Sequence, residues 1–304
     1  MSAEKYQHII LGGTIKAATS SLYNYISAHP RVCGSRVKET WFFSMYYSGD
    51  LETDLKTYAS YFSPIAEHKI LFEASPDYLG YRENVAPRIK QLLPDAKLLF
   101  VLRNPVDRLY SHFNFAKGKL QLPQDMSFEY FIEQCERFNN GQIAVEESGI
   151  AIKHLRALEI GNYGRYLENF YEYFESKNIK VIFYEDLNHH PQEMLAEICE
   201  FIDVSPSFYD DFVMHRANIT FSARWKYLHC FVLSLNRFFG PILWQRPTLK
   251  RMLVKLYKNL NQERLGYAPM QEETREKLVN YYAPGNAKLM QILGCQKWPS
   301  WINS

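Results

Sequence analysis

What most limits the fold of this chain is a set of four short runs, His8–Leu11, Ile70–Glu73, Leu98–Leu102 and Val181–Tyr184, that are apolar almost throughout. A strand with one wet face alternates apolar and polar residues. A strand without alternation is covered on both faces, as in a parallel sheet. Amphipathic segments of helical period lie between the runs. Ser20–Ala28 follows the first, Asn84–Leu93 precedes the third and Pro105–Lys117 follows it, and Tyr163–Ser176 and Gln192–Ile202 bracket the fourth. Strand alternating with helix implies β-α-β crossovers, and so a doubly wound parallel α/β sheet flanked by helices. The stretch DAKLLFVLRNPVDR shows one boundary: a strand, then Arg-Asn, then Pro105 near the first helical turn, where its missing N–H does no harm.

No internal repeat, low-complexity tract or Pro/Gly linker divides the 304 residues, so a single domain is expected over 1–304. A last helix, roughly Gln271–Leu293, and a Trp-containing tail form a helical C-terminal cover. Within the domain, residues 216–264 stand apart, with ten Lys/Arg against the single acid Glu263. The whole chain carries only +2, which argues against a nucleic-acid partner. Cysteines 33, 135, 199, 230 and 295 are odd in number and show no CxxC spacing. That reads as a reducing compartment with no structural metal, and Cys33 as a buried small hydrophobe. The first apolar run is too short for a signal peptide, and Leu228–Trp244 is interrupted by Asn236, Arg237 and Gly240. A cytoplasmic location is the expectation.

Two constellations carry chemistry. In HIILGGTIKAATSSLYNYI a strand turns into a helix through Lys16, two small residues and three hydroxyls. Unpaired N–H groups and the dipole at a helix start attract anions, and Lys16 adds a full charge. A tight turn with a hydroxyl N-cap is the plain alternative. Neither GxxxxGK[ST] nor GxGxxG is present, which disfavours an ordinary ATPase or dehydrogenase. In LLFVLRNPVDRLYSHF, Arg103 ends a strand and Ser111 lies about two turns into the next helix. Ligands of open α/β sheets bind outside the carboxyl ends of strands, so Arg103 shares an edge with the Lys16 loop and offers a forked donor to phosphate. The plain alternative pairs Arg103 with Asp107.

Together these segments resemble the PAPS-dependent sulfotransferases, especially the carbohydrate and bacterial branch related to heparan sulfate sulfotransferases. That family's phosphosulfate loop reads G-x-x-K-x-G-T-[ST]-x-L; this chain has Gly13-Thr-Ile-Lys16-Ala-Ala-Thr19-Ser20-Ser-Leu22. The family's phosphate segment reads R-[ND]-P-x-[DE]-R-x-x-S; this chain has Arg103-Asn-Pro105-Val-Asp-Arg108-Leu-Tyr-Ser111. HPRVCGSRVKETWFF, FEASPDYL, IKVIFYEDL and ILGCQKWPSW are also similar, so the resemblance spans nearly the whole chain, least at 118–160 and 214–265. It implies a P-loop-like fold and transfer of a sulfuryl group from PAPS to a hydroxyl, less readily an amine, with adenosine 3′,5′-bisphosphate (PAP) as product and no metal. Lys16, Ala17, Ala18, Thr19, Ser20 and Ser21 would hold the 5′-phosphosulfate, and Arg103 and Ser111 the 3′-phosphate. Lys16 would offset charge on the leaving group. Glu39, in Lys38-Glu39-Thr-Trp-Phe-Phe43, would take the acceptor's proton. Ala18 replaces the loop glycine, and Ala74 stands where relatives often carry Lys.

Alternatives remain at this level. Glu39 could form a surface pair with Lys38, and Glu73 competes as base or orients the loop. His112 and His154 match no histidine base of other sulfotransferases and read as packing or supporting groups. A kinase with a degenerate loop, and a non-catalytic nucleotide- or carbohydrate-binding protein, are the rival functions. The acceptor, a small molecule, glycan or glycolipid, would be met by loops at 44–60, 118–160 and 214–245. In 216–264, cations alternate with aromatic residues, part of a content of 22 Tyr, 20 Phe and 5 Trp in the chain. Such a segment is a packing helix, a cover that brings Arg224 over the cofactor, or a surface for peripheral association with an anionic membrane.

Overall fold

A computed structural model describes residues 6–80, 84–214, 269–294 and 298–302, with the short pieces 222–223, 252 and 262–263 between them. Five parallel strands form one sheet: β1 (Gln7–Gly13), β2 (Val32–Gly34), β3 (Ile70–Ala74), β4 (Lys97–Leu102) and β5 (Ile179–Phe183), in the order β2-β3-β1-β4-β5. Each apolar run of the sequence is a strand. Of these five strands only β2 lacks such a run: three residues at the sheet edge that pair Val32 with Ile70 and Gly34 with Phe72.

Non-alternating runs are explained by what covers the sheet. Ile9, Leu11, Phe72, Leu99 and Val101 pack to one side with Leu22 and Ile26 of α1 (Thr19–Ser27) and Leu195 and Ile198 of α10 (Pro191–Phe201). Their neighbours Ile10, Leu71, Leu98, Phe100 and Leu102 pack to the other with Ile89 of α3 (Val85–Leu92) and Leu167 and Phe170 of α8 (Tyr163–Tyr173). Successive strand residues point to opposite faces, so both sets must be apolar. The chain leaves β1 toward β3 and β2, and leaves β4 toward β5. The β1–β4 boundary is therefore the switch point, where open α/β sheets leave a crevice.

A third apolar cluster joins Leu109 and Phe113 of α4 (Pro105–Gly118) to Phe128, Phe131 and Ile132 of α5 (Phe128–Asn139) and to Leu278 and Tyr282 of the last helix, α11 (Glu272–Leu293). Arg275 of α11 ion-pairs with Asp107 at 2.8 Å. Close approach of α8 and α11 rests on Gly164, where a Cβ would lie 2.7 Å from both the Gly285 carbonyl oxygen and the Leu289 nitrogen.

The segments expected as acceptor loops are partly helical. Residues 51–59 form α2 (Leu51–Ala59), whose first N–H groups are capped by the Asp50 carboxylate, and α5 is capped by the Ser127 hydroxyl. Short helices α6 (Val145–Ser148) and α7 (Ile152–Leu155) follow, and α9 (Tyr184–His189) directly continues β5. Beyond the main sheet, Ser222–Ala223 pairs antiparallel with Gln262–Glu263. Arg224, Cys230, Cys295 and most of the basic segment 216–264 lie outside the described residues.

Candidate active site

A cavity of about 1150 Å³ opens at the carboxyl ends of β1, β3 and β4. Lys16, Ala18, Thr19, Ser20, Ser21, Glu39, Arg103 and Ser111 all line it. Ala17 does not; it is fully buried among the apolar residues behind α1.

The loop between β1 and α1 is held in a conformation that side chains resist. Lys16 has φ 70°, and Ala18, which precedes the helix, has φ 59° and ψ 18°. Both lie in the left-handed region, where a Cβ meets the following carbonyl at a cost of roughly 1 kcal/mol. This is the physical reason a glycine suits position 18. No side chain caps α1, so the hydroxyl-cap alternative does not apply. Ser21 N–H donates to the Ala18 carbonyl at 2.9 Å, which leaves the N–H groups of Thr19 and Ser20 as the orphan donors of the first turn, on residues that line the cavity.

Lys16 and Arg103 are tied together. Arg103 Nη1 donates to the Lys16 carbonyl at 3.0 Å, and its guanidinium lies 4.6 Å over the Tyr184 ring. Tyr163 fixes the strand end by donating its hydroxyl to the Arg103 carbonyl at 2.8 Å. Asp107 is taken by Arg275, and among the described residues no carboxylate pairs with Arg103. The Lys16 ammonium sits 4.1 Å above the Phe115 ring. Burial, then the charges of Arg103 and Lys119, push its pKa down to about 8. The site thus concentrates positive charge at some cost, and an anion bound there would relieve it.

Glu39 both pairs with Lys38 and lines the cavity: Lys38 Nζ donates to its carboxylate at 2.8 Å. Its backbone is left-handed at φ 66°, and its N–H donates to the Ala74 carbonyl at 2.9 Å. Glu73 differs in kind: it is fully buried, is absent from the cavity wall, and accepts from Thr40, Ser75 and Tyr78. Burial raises its pKa to about 7 against the pull of those hydroxyls.

The remaining wall was only partly legible. Trp41, Ser44 and Met45, from a single π-helical turn at Phe42–Tyr46 and the residue before it, face Ile152, Lys153, His154 and Arg156 around the same space. His112 and His154, both lining it, share a 2.9 Å hydrogen bond between Nε2 and Nδ1. Burial pushes both rings below the ordinary histidine range, His154 to about 4. Phe115 of α4 was missed, although it lies one turn beyond Ser111 on the same helix face, a spacing that sequence alone exposes.

The sulfotransferase domain model matches residues 7–224. Among relatives, the membrane-associated sulfotransferase kil1 of Dictyostelium discoideum is 26% identical, over 67% of this chain and 58% of its own length. Human heparan sulfate glucosamine 3-O-sulfotransferase 6 is 28% identical over 65% of this chain and 52% of that protein. Mouse bifunctional heparan sulfate N-deacetylase/N-sulfotransferase 4 is 24% identical over 95% of this chain but only 30% of that protein. The chain thus matches little more than half of these relatives' lengths at most. A sulfotransferase from Alicyclobacillus acidocaldarius shares the fold, with a TM-score of 0.65, 23% identity, and coverage of 97% of this chain and 98% of that one. A parallel sheet with an anion-attracting first loop, an Arg and Ser after the fourth strand, and a domain match over most of its length make this chain a member of the sulfotransferase family.

Proposed function

We propose that the chain transfers a sulfuryl group from PAPS to a hydroxyl of a carbohydrate-type acceptor, a glycan or glycolipid, and releases PAP. The observation that carries this reading is that Lys16, Arg103, Ser111 and Glu39, drawn from three separate segments, line one cavity. The donor set fits a nucleotide with two phosphate ends: an ammonium, hydroxyls and helix N–H groups at one end, a guanidinium and a hydroxyl at the other. PAPS supplies the activated sulfuryl group.

Each residue has a distinct task in this reading. Arg103 and Ser111 hold the 3′-phosphate and so distinguish PAPS from ATP. Thr19, Ser20, Ser21 and the first N–H groups of α1, backed by Ala17 and Ala18, hold the 5′ end. Lys16 neutralises charge as it grows on the leaving phosphate, the moment at which a preorganised cation is worth most. Glu39 takes the acceptor proton, and its contact with Lys38 orients it; a positioned base contributes about 10²–10⁴-fold. The opposite wall at Ile152–Arg156 and the Trp41–Met45 turn would hold the acceptor.

The basic segment 216–264 and the name of the Dictyostelium relative support peripheral association with an anionic membrane, which would give an enzyme of this kind access to glycolipid. Among the described residues no helix is long and apolar enough to cross a membrane. Flotation with phosphatidylserine liposomes, with and without Lys250→Glu plus Arg251→Glu, tests that part.

The central test is thermal. PAP should raise the melting temperature well above what ATP does at equal concentration. Arg103→Ala and Ser111→Ala should each erase the difference. Incubation with labelled PAPS and a panel of heparosan, glycolipids and simple alcohols, read by mass spectrometry, then identifies the acceptor class. Equal stabilisation by ATP and PAP would overturn the reading and favour a kinase. PAP binding with no transfer to any acceptor would favour a non-catalytic binding protein.

A further inference from the structure

Beneath Glu39 lies a hydrogen-bond network that the proposed chemistry does not use directly. Three successive backbone N–H groups, of Trp41, Phe42 and Phe43, donate to three side-chain hydroxyls: Ser75 at 3.2 Å, Thr40 at 3.3 Å and Tyr78 at 3.2 Å. Each hydroxyl in turn donates its own hydrogen to one carboxylate. Thr40 and Ser75 donate to Glu73 Oε2, the latter at 3.0 Å, and Tyr78 donates to Oε1 at 3.2 Å. Glu73, Thr40, Ser75, Phe42, Phe43 and Tyr78 are all buried.

The directions of these bonds are forced. A hydroxyl has one hydrogen, so once its oxygen accepts a backbone N–H, that hydrogen is spent on whichever acceptor remains. An ionised carboxylate is acceptor-only and can take all three. A neutral amide or carboxylic acid brings hydrogens of its own into the same space, and at least one hydroxyl must turn away. The backbone so held is unfavourable by itself: Glu39 and Trp41 are both left-handed, at φ 66° and 50°. They flank Thr40, whose hydroxyl is the hinge of the network. Resting on the proposed function, we infer that Glu73 is a positioning residue: its carboxylate, acting through three hydroxyls, fixes the 40–43 backbone and so sets where the Glu39 carboxylate stands in the cavity.

The groups facing Glu73 are Asp77 and Tyr78 from the segment after β3, and Tyr58 and Tyr61 from the end of α2 and the residues beyond it. None is a cation. The tyrosines are held neutral, since burial raises all three. With Glu73 near 7, the network is complete above that pH and loses a bond below it.

Hydrogen exchange on the full chain with PAP bound tests the inference. In Glu73→Gln, protection of the 41–43 amides should fall about tenfold or more, as expected for a lost bond to a charged group. In the wild type the same amides, corrected for intrinsic exchange, should gain protection as pH rises through 7, and in Glu73→Gln they should not. Release of PAP from PAPS in the presence of heparosan should drop in kcat by about 10²-fold, the scale of a catalytic group displaced by an ångström. KM for PAPS and Kd for PAP should stay within about twofold. Tyr78→Phe and Thr40→Val, each removing one hydroxyl at similar volume, should give smaller losses in the same order and serve if Glu73→Gln does not fold. Unchanged 41–43 protection in Glu73→Gln would overturn the inference. So would lost protection with native turnover, where Glu39→Gln still lowers turnover. A wild type that binds no PAP would instead defeat the proposed function, and leave the exchange result to decide the network.

Discussion

Lys16 gives a prediction with a defined sign. In the free protein its pKa lies at about 8, because burial, Arg103 and Lys119 all oppose its charge. A bound bisphosphate brings negative charge against the same ammonium and must restore its proton. Above pH 8, then, each molecule of PAP bound takes up one proton, and affinity falls with rising pH. The charged fraction of free Lys16 is about nine-tenths at pH 7 and about one-tenth at pH 9. PAP affinity should accordingly weaken about tenfold between those values. The phosphates themselves add little there, because with a second pKa of about 6 they are already about nine-tenths ionised at pH 7.

Stability of the free protein moves the other way. Between pH 8 and 10.5 the unfolded chain holds a proton on Lys16 that the folded chain lacks. Folding is therefore favoured as pH rises through that window, and this contribution is lost as pH falls below 8. Titration calorimetry at pH 7, 8 and 9 in two buffers of different ionisation enthalpy would read both affinity and proton uptake. Lys16→Arg should bind PAP with no such slope, since guanidinium stays charged. Lys16→Met should bind weakly and also without slope. Equal affinity at pH 7 and 9, or the same slope in Lys16→Met, would refute the assignment of this proton to Lys16.

Other consequences can be measured on the folded chain alone. Ala18→Gly should raise stability by about 0.5 kcal/mol, relief of the left-handed alanine exceeding the entropy that glycine adds to the unfolded chain; calorimetry should show a Tm increase of about 1–2 °C with PAP affinity equal or tighter, and a lower Tm would contradict it. Gly164→Ala should destabilise by about 1–3 kcal/mol, because its new methyl meets backbone of α11 at 2.7 Å; denaturant melts check this, and an unchanged midpoint would mean the helices can separate freely. Glu73, raised from 4.5 to about 7, binds a proton in the folded state that the unfolded state lacks. Its contribution to stability is full below about pH 4.5 and is lost as pH rises through 7, and Glu73→Gln should flatten that part of the stability–pH curve.

How much of this was readable beforehand follows from which interactions are local. Strands β1, β3, β4 and β5 announce themselves because both faces are covered, and a double-sided requirement leaves no polar residue to blur the run. β2 escapes because Val32–Gly34 is three residues long, and its place comes from pairing with β3, where Val32 meets Ile70. The helices in 118–160 escaped for a different reason: the Ser127 cap is written locally, but the residues after it face a satellite cluster shared with α11, not the sheet. At the site, Lys16, Arg103 and Ser111 could be found because each sits at a fixed offset from a strand end. Glu39 could be named only through a resemblance, since nothing within its own segment separates a cavity carboxylate from a surface ion pair, and in the fold it is both. Glu73 was visible as a rival base or as a residue that orients the loop, but the route by which it would act was not. Its role depends on Thr40, Ser75 and Tyr78 converging on one carboxylate while their oxygens face 41–43. That convergence joins two segments more than thirty residues apart, and only the folded chain brings donors and acceptor to a common point. On the inference that Glu73 positions Glu39, the carboxylate that the sequence offers as an alternative to the base is, in three dimensions, what holds the proposed base in place.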